Sequence, residues 1–499
     1  MPDARDDCLR LAVVGHTNTG KTSLLRTLTR DPEFGQVRDS PGTTRHVEGA
    51  RLLVDGKRVV ELFDTPGMED GIGLLDYMDL LAEGSPRLDG PDRIRRFLDS
   101  PESRSRYEQE ARVVRKLLEC DAGLYVVDVR DPVLGKHKDE LAILAACGRP
   151  LLPVLNFVHG SAPHAGAWRE TLARLGLHAI AEFDTVAPAL DGETQLYDKL
   201  GLLLDTHAAL LQTLKADVLR QRRIRRTDAA RLIAELLVDA AAYRLSSLPD
   251  DDALEQATQS LRSAISEREA DCVRALLKRY NFHASDFPNH PLPLEGERWG
   301  MDLFHPQALK DAGLHMTKGI AAGAMAGATV DLFTAGLSLG AAALVGAAAG
   351  GLWQGVDRYG KRILGRLKGY QELSVDDAVL CLLALRQAAL ARALETRGHA
   401  AQAPISLRDA APGRQDAIDA PNTPLQEAAH DGLAGFEAGL RKGRVPDALQ
   451  EARGHPEWSM PGRSGTAGPR REQVVRELAE QLGAMLSPPG GAAPYHRDR

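Results

Sequence analysis

The sequence predicts an α/β domain with a mostly parallel sheet, followed by an all-α domain and a partly disordered tail. Three observations carry this. Over the first 200 residues, short apolar runs alternate with helical patterns, as parallel strands joined by crossover helices do. From about Thr194 the pattern is helical almost without interruption, rich in Leu, Ala and Arg. Beyond Ala400, large apolar residues thin out and Pro, Gly and mixed charge replace them.

The elements follow in order. Leu9–Gly15 is an apolar run ending at Gly, and Thr22–Thr29 is helical. Arg51–Val54 and Val59–Phe63 are strand-like and joined at Asp55-Gly56, a hairpin turn pair. Glu69–Glu119 exceeds what the sheet needs and reads as a charged helical insertion, with Tyr107–Leu118 its clearest helix. Ala122–Val129 and Pro150–Asn156 are continuously apolar, as strands buried on both faces are, with helix Lys138–Cys147 between them. Helices over Leu196–Leu245, Asp252–Tyr280 and Val375–Arg397 follow, broken by the turn-rich Pro288–Glu297. The predicted domains are 1–200, 201–400 and a tail over 401–499. Within that tail Gln402–Arg471 reads as linker and 472–486 as a short amphipathic helix.

Composition narrows the class. Of 499 residues, 43% are hydrophobic and 26% charged, which excludes a wholly disordered or collagen-like chain. A net charge of -7 argues against a globally basic nucleic-acid binder. The five cysteines are dispersed with no CxxC pair, so zinc and redox motifs are not indicated and a reducing compartment is. The N-terminus lacks the apolar core of a signal peptide, so a cytoplasmic location is expected.

The chemistry concentrates in Gly15-His16-Thr17-Asn18-Thr19-Gly20-Lys21-Thr22, a complete GxxxxGK[ST] between a strand and a helix that begins Thr22-Ser23. Backbone amides of such a loop surround phosphates, and glycines allow close approach. Lys21 brings positive charge to the β/γ-phosphates, and the Thr22 hydroxyl reaches Mg²⁺. Asp64-Thr65-Pro66-Gly67 follows strand Val59–Phe63. Its carboxylate suits a Mg²⁺ site through water, and the Gly67 N–H suits the γ-phosphate. Between these lies Ser40-Pro41-Gly42-Thr43-Thr44-Arg45, where Thr44, or next Thr43, is placed to ligate Mg²⁺ when a γ-phosphate is present.

GHTNTGKT, PGTTR and DTPG resemble the motifs of the translation-factor-related bacterial GTPases, the Era and TrmE group. The resemblance covers about residues 9–200. It implies a Ras-like G domain that binds GTP and GDP and hydrolyses GTP with Mg²⁺, and homodimer formation through that domain. It also implies that Asn18 holds K⁺ as a source of transition-state charge; Thr17 stands where many members have Pro. Catalysis would rest on Lys21, Thr44 and Asn18. Met68 follows DTPG, where Ras-type enzymes place a water-orienting Gln. A thioether cannot do that, so slow intrinsic hydrolysis is expected. The family's guanine-reading Asn-Lys-x-Asp appears as Asn156-Phe157-Val158-His159. Asn156 is retained, Phe157 can stack on a base, and a neutral His159 cannot replace the carboxylate. Asp184 is the candidate substitute acceptor. The whole chain also looks like G domains fused to a helical domain of unknown function.

Two further segments bear on partners. Lys318–Gly355 is rich in Ala and Gly, with 22 uncharged residues from Leu332 through Trp353 and GxxxG spacings. It reads as a membrane-associated helix or hairpin at an anionic inner-membrane surface, or as a tightly packed soluble hairpin. Arg220–Arg226 (RQRRIRR) reads as a face for anionic lipid or RNA, or as a solvated face paired with acids such as Asp228 and Glu235. Three roles therefore stand: a membrane-associated switch, a cytosolic RNA or ribosome-assembly factor, and an effector switch with negligible turnover.

Overall fold

A computed structural model of the 499-residue chain describes residues 8–31, 34, 48–83, 88–159, 162–282, 294–295, 328–331, 371–399, 401, 405–406, 435–459 and 468–487. The chain divides into two compact units. The first comprises Met1–Ile224, Asn281–Pro291 and Leu394–Ala403; the second comprises Arg225–Tyr280, Leu292–Ala393 and Pro404–Arg499.

The first unit is built on strands β1 (Leu9–Val14), β2 (Glu48–Val54), β3 (Lys57–Asp64), β4 (Ala122–Asp128), β5 (Leu151–Asn156) and β6 (Ala181–Glu182). Their order is β2-β3-β1-β4-β5-β6. Every pairing is parallel except the β2–β3 hairpin, which turns at Asp55-Gly56. Helices α1 (Lys21–Thr29), α2 (Gly71–Ala82), α3 (Gly90–Asp99), α4 (Glu108–Glu119), α5 (Gly135–Ala146), α6 (Ala165–Arg174) and α7 (Gly192–Leu203) pack on it. Strand β1 shows why the sheet is covered on both faces. Leu9, Leu11 and Val13 enter one apolar cluster with Leu24, Leu28 and Leu200. Ala12 and Val14 enter the other with Leu74, Leu117 and Leu144. The period-2 alternation of a strand thus commits five of the six side chains to a core, Arg10 alone reaching out towards Glu61.

Parallel pairing puts the strand ends on one side of the sheet. Val13 pairs with Asp64, and Asp128 pairs with Asn156. The carboxyl ends of β1, β3, β4 and β5 therefore form one edge. The chain leaves β1 in the middle of the order, the switch point where open α/β sheets bind ligands. Residues 71–119 supply α2, α3 and α4, anchored by buried Phe97 and by Tyr107, whose hydroxyl donates to Gly73 O at 2.8 Å.

The second unit is mainly helical. Its part of α8 (Ala208–Ala242) is joined by α9 (Asp251–Arg279), α10 (Asp377–Glu395), α11 (Asp447–Arg453) and α12 (Pro469–Leu486). Helix α12 buries Val474, Val475, Leu478 and Leu482. Glu472 on it accepts from both Arg231 terminal nitrogens at 2.8 and 2.9 Å. Helix α11, inside the stretch that reads as linker, buries Leu449 and Ala452. The sequence pattern does not announce one feature: β10 (Gln371–Val375) pairs antiparallel with both β7 (Arg244–Ser247) and β9 (Ala328–Asp331). Two-residue strands β8 (Leu294–Glu295) and β11 (Ile405–Ser406) pair in parallel.

Two expectations change. Ala328–Asp331 is a strand, so Lys318–Gly355 is not one unbroken helix; the rest of that segment, including Leu332–Trp353, lies outside the described residues. Among the described residues no helix is long and apolar enough to cross a membrane. The basic run pairs with acids, as one of its two readings has it, but through Asp55, Asp217 and Glu395. Arg220 pairs with Asp55 and Asp217, Arg222 reaches Glu395 and Leu190 O, and Arg225 is buried. Asp228 and Glu235 pair instead with Arg279 and Arg231.

Candidate nucleotide site

The loop from Gly15 to Gly20 leaves β1 and enters α1 at the sheet's carboxyl edge. Gly20 sits at φ 92°, a left-handed conformation that disfavours any side chain, and a Cβ there would lie 2.2 Å from Asn156 Nδ2. Asn18 is exposed at the crown with φ 64°. The loop closes on itself through Thr19 Oγ1, which donates to His16 O at 3.0 Å. Lys21 folds back inside it, its Nζ donating to Gly15 O at 3.1 Å and His16 O at 2.6 Å. Burial pushes the Lys21 ammonium down to about 8, partly offset by the Asp64 and Glu140 carboxylates. Ser23 follows Thr22 in the first turn of α1.

At the floor, Thr22 Oγ1 donates to Asp64 Oδ2 at 2.5 Å, and Asp64 is almost fully buried. Thr65 Oγ1 donates to Val13 O at 2.7 Å and fastens the Asp64–Gly67 turn to β1. Gly67 comes so close to the loop that a Cβ would lie 2.4 Å from Thr17 Oγ1 and 2.6 Å from Thr17 N. Met68 is fully buried in the apolar cluster, so its side chain belongs to the core. Helix α4 anchors the chain from Gly67 to Asp70. Gln109 Nε2 donates to Gly67 O at 2.5 Å, and Glu110 Oε1 accepts from Glu69 N and Asp70 N at 3.1 Å each.

The structure brings together Gly15–Thr22, Asp64, Gly67, Asn156 and Phe157; Thr43 and Thr44 lie outside the described residues. Asn156, wholly buried, links three segments. Its Nδ2 donates to Thr19 O at 3.0 Å, and its Oδ1 accepts from Phe157 N at 2.9 Å and Thr185 N at 3.0 Å. Phe157 takes φ 60°, and Arg130 stacks on its ring at 3.7 Å from the centroid. That guanidinium is itself held by Asp128, with Nη2 2.6 Å from Oδ2. Asp184 differs from its expected role as a base acceptor. Its Oδ2 accepts from His159 N at 2.8 Å and its Oδ1 from Val186 N and Ala187 N at 2.9 and 3.0 Å. It is a buried pin between loops because three backbone donors converge on it.

Several contributors escaped the sequence. Glu140 on α5 is buried against His16 Nδ1 at 2.5 Å and accepts from Tyr125 Oη at 3.1 Å. Lys136 Nζ meets His16 Nε2 at 2.8 Å. The His16 side chain therefore turns away from the loop's cradle and ties it to α5. A buried acid on the apolar face of α5 was the available signal. Gln109 and Glu110 carried none, because their partners lie about forty residues away.

Among the described residues no cluster of three or more His, Cys, Asp or Glu could hold a metal. A Mg²⁺ ion asks for something else: few protein ligands, all hard oxygens. The Thr22 hydroxyl and Asp64 carboxylate, paired at the loop floor, fit that demand.

Comparison with known proteins agrees with this geometry. Residues 10–157 match the family described as 50S ribosome-binding GTPase, and residues 169–480 match the domain of unknown function DUF3482. GTPase Der of Xylella fastidiosa (strain 9a5c) is 32% identical over 155 residues, covering 30% of this chain and 26% of the relative. The tRNA modification GTPase MnmE of Chelativorans sp. (strain BNC1) is 35% identical over 74 residues, covering 15% and 16%. The chain thus spans about a quarter of the length of the Der relative and less of the MnmE relative. Among solved structures, Aquifex aeolicus Era bound to GDP.AlF4- is similar at a TM-score of 0.28 and 15% identity, over 50% of this chain and 75% of that one. The DUF3482 match takes in more than half of the chain. The chain belongs to the DUF3482 family, and its N-terminal domain is a P-loop GTPase domain.

Proposed function

We propose that this DUF3482-family chain uses its GTPase domain to bind GTP and hydrolyse it to GDP and phosphate as a Mg²⁺-dependent switch. The observation that carries the reading is the constellation of Lys21, Thr22 and Asp64 at the switch point of the sheet. Lys21 and the loop amides would lie at the β- and γ-phosphates, where their charge and dipoles favour the negative charge that builds up on the leaving diphosphate as the bond to the γ-phosphoryl group breaks. Thr22 and Asp64 would hold Mg²⁺, Asp64 through water and Thr44 completing the set. The metal, when bound, neutralises charge on the phosphate oxygens. Gly67 offers its N–H to the γ-phosphate. Asn18, exposed at the loop crown, is the proposed K⁺ ligand.

The buried Met68 supports slow intrinsic turnover, because the side chain that follows Gly67 cannot orient water. Guanine preference rests on kinship: Asn156 and Asp184 are occupied in holding loops, and Phe157 with Arg130 supplies a stacking surface. The GTPase family's description as 50S ribosome-binding, and the MnmE relative's as tRNA-modifying, favour an RNA-associated role as the second reading. The membrane role rests on the composition of Lys318–Gly355, and full release of the protein by carbonate extraction would dismiss integral insertion.

Phosphate release measured with GTP and ATP, in K⁺ and in Na⁺, tests the proposal. GTP-dependent release that needs Mg²⁺ and rises in K⁺ is expected; equal release from ATP would remove the guanine assignment.

A further inference from the structure

The first unit contains a short segment from far along the chain, Leu394–Ala403, which continues directly from α10. Gly398 N in this strap donates to Val186 O at 2.9 Å. A Cβ on Gly398 would stand 1.8 Å from Thr185 O and 2.6 Å from its carbonyl carbon. The glycine is required by approach, since even the smallest side chain would strike fixed backbone. The strap is held on both sides of this point. Glu395 lies 3.8 Å from Arg222, and His399, 8% exposed, stacks on Phe282 at 4.5 Å with the rings nearly parallel.

Thr185 and Val186 belong to the loop after β6, beside the Asn156 end of β5. Three other groups fix it: Asn156 Oδ1 accepts from Thr185 N, Thr27 Oγ1 donates to Thr185 O at 3.0 Å, and Asp184 Oδ1 accepts from Val186 N. Thr27 stands on α1, six residues after Lys21. The loop is thus gripped by the phosphate helix, by β5 and by the strap. Of these, the strap alone lies in the DUF3482 part of the chain. A loop held in place before ligand arrives spares the ordering cost at binding.

We propose that the strap Leu394–His399 sets the position of the base-side loop Asp184–Ala187, with Gly398 as its positioning residue, and so tunes affinity for the nucleoside end of the nucleotide. This rests on the reading that the carboxyl edge of the sheet binds a guanine nucleotide. The phosphate end, cradled by Gly15–Thr22, is joined to the strap only at one remove, through Thr27 and Asn156, which both hold Thr185. Gly398 therefore acts more strongly on base-dependent affinity than on phosphate affinity.

The test uses the full chain as wild type, Gly398→Ala and His399→Ala. Fluorescent GDP is titrated, inorganic triphosphate serves as a competitor that probes the phosphate end alone, and phosphate release is read at saturating GTP. For Gly398→Ala the expected outcome is a rise in GDP Kd of about tenfold or more, the scale that a forced backbone shift produces. Triphosphate affinity and saturated turnover stay within about twofold. His399→Ala shifts GDP affinity in the same direction by less. An unchanged GDP Kd in Gly398→Ala overturns the proposal, as does an equal loss of GDP and triphosphate binding, which marks general damage. Should Gly398→Ala fail to fold, His399→Ala decides: an unchanged ratio of GDP to triphosphate affinity refutes the strap. If the wild type binds neither ligand, the nucleotide reading itself has failed; if it binds both and the variants match it, only the strap has.

Discussion

Asn156→Ala isolates the link between the phosphate loop and the base side. The side chain is wholly buried and makes three hydrogen bonds, to Thr19 O, Phe157 N and Thr185 N. Truncation leaves two buried amide donors and one carbonyl without those partners. Each orphaned group costs about 1–3 kcal/mol. For the amides of Phe157 and Thr185 that converts to roughly fivefold to 150-fold easier local opening. Hydrogen exchange read residue by residue is the assay, because a chain of two units has no single unfolding free energy. Exchange at Phe157 and Thr185 accelerates within that range, while amides in the centre of β4 keep their protection. GDP affinity falls alongside, since Thr19 lies in the loop. Unchanged protection at both amides would refute the reasoning, because it would mean that Asn156 does not hold these segments together.

Neighbouring geometry yields further tests. Gly67→Ala places a Cβ 2.4 Å from Thr17 Oγ1 and against its backbone, so GTP turnover drops about tenfold or more; turnover within twofold of wild type would contradict the close approach. All five cysteines are buried, and burial pushes Cys120 up to about 11 and Cys147, Cys272 and Cys381 up to about 12. At pH 8 a thiol reagent should leave these four unmodified in the native chain and titrate five after denaturation; rapid native labelling would show the burial to be wrong. Burial also pushes His137 down to about 4 from 6.5, and its Nδ1 accepts from Leu134 N at 3.2 Å, a bond only the unprotonated nitrogen can accept. The unfolded chain binds this proton more readily, so the contribution is full above pH 6.5 and is lost as pH falls towards 4. The midpoint of the transition that unfolds the first unit should fall more steeply over that window in wild type than in His137→Gln; parallel slopes would dismiss the effect.

The apolar runs made β1, β4 and β5 legible because their side chains alternate between two cores and leave little polar surface to blur the pattern, and β3 through its short run Val59–Phe63. The phosphate loop was legible because its chemistry is local: eight consecutive residues carry the cradle, the cation and the hydroxyl. The roles of Asp184 and Glu140 were not, since what each carboxylate does is decided by backbone donors and a histidine from other elements. Strand β10 was hidden by its length, with five residues beside a long helix. The tie between Gly398 and Thr185 joins positions that only the folded chain makes neighbours, and a glycine required by close approach looks, in sequence, like any other.

The central claim is that Lys21, in its loop, binds the phosphates of GTP. Displacement of fluorescent GTP from the wild-type chain and from Lys21→Ala, with Mg²⁺ present, tests it most directly. Loss of one buried cation from a paired site costs about 2–5 kcal/mol, so the variant should bind at least about thirtyfold more weakly. Equal affinity in the two proteins would contradict the account.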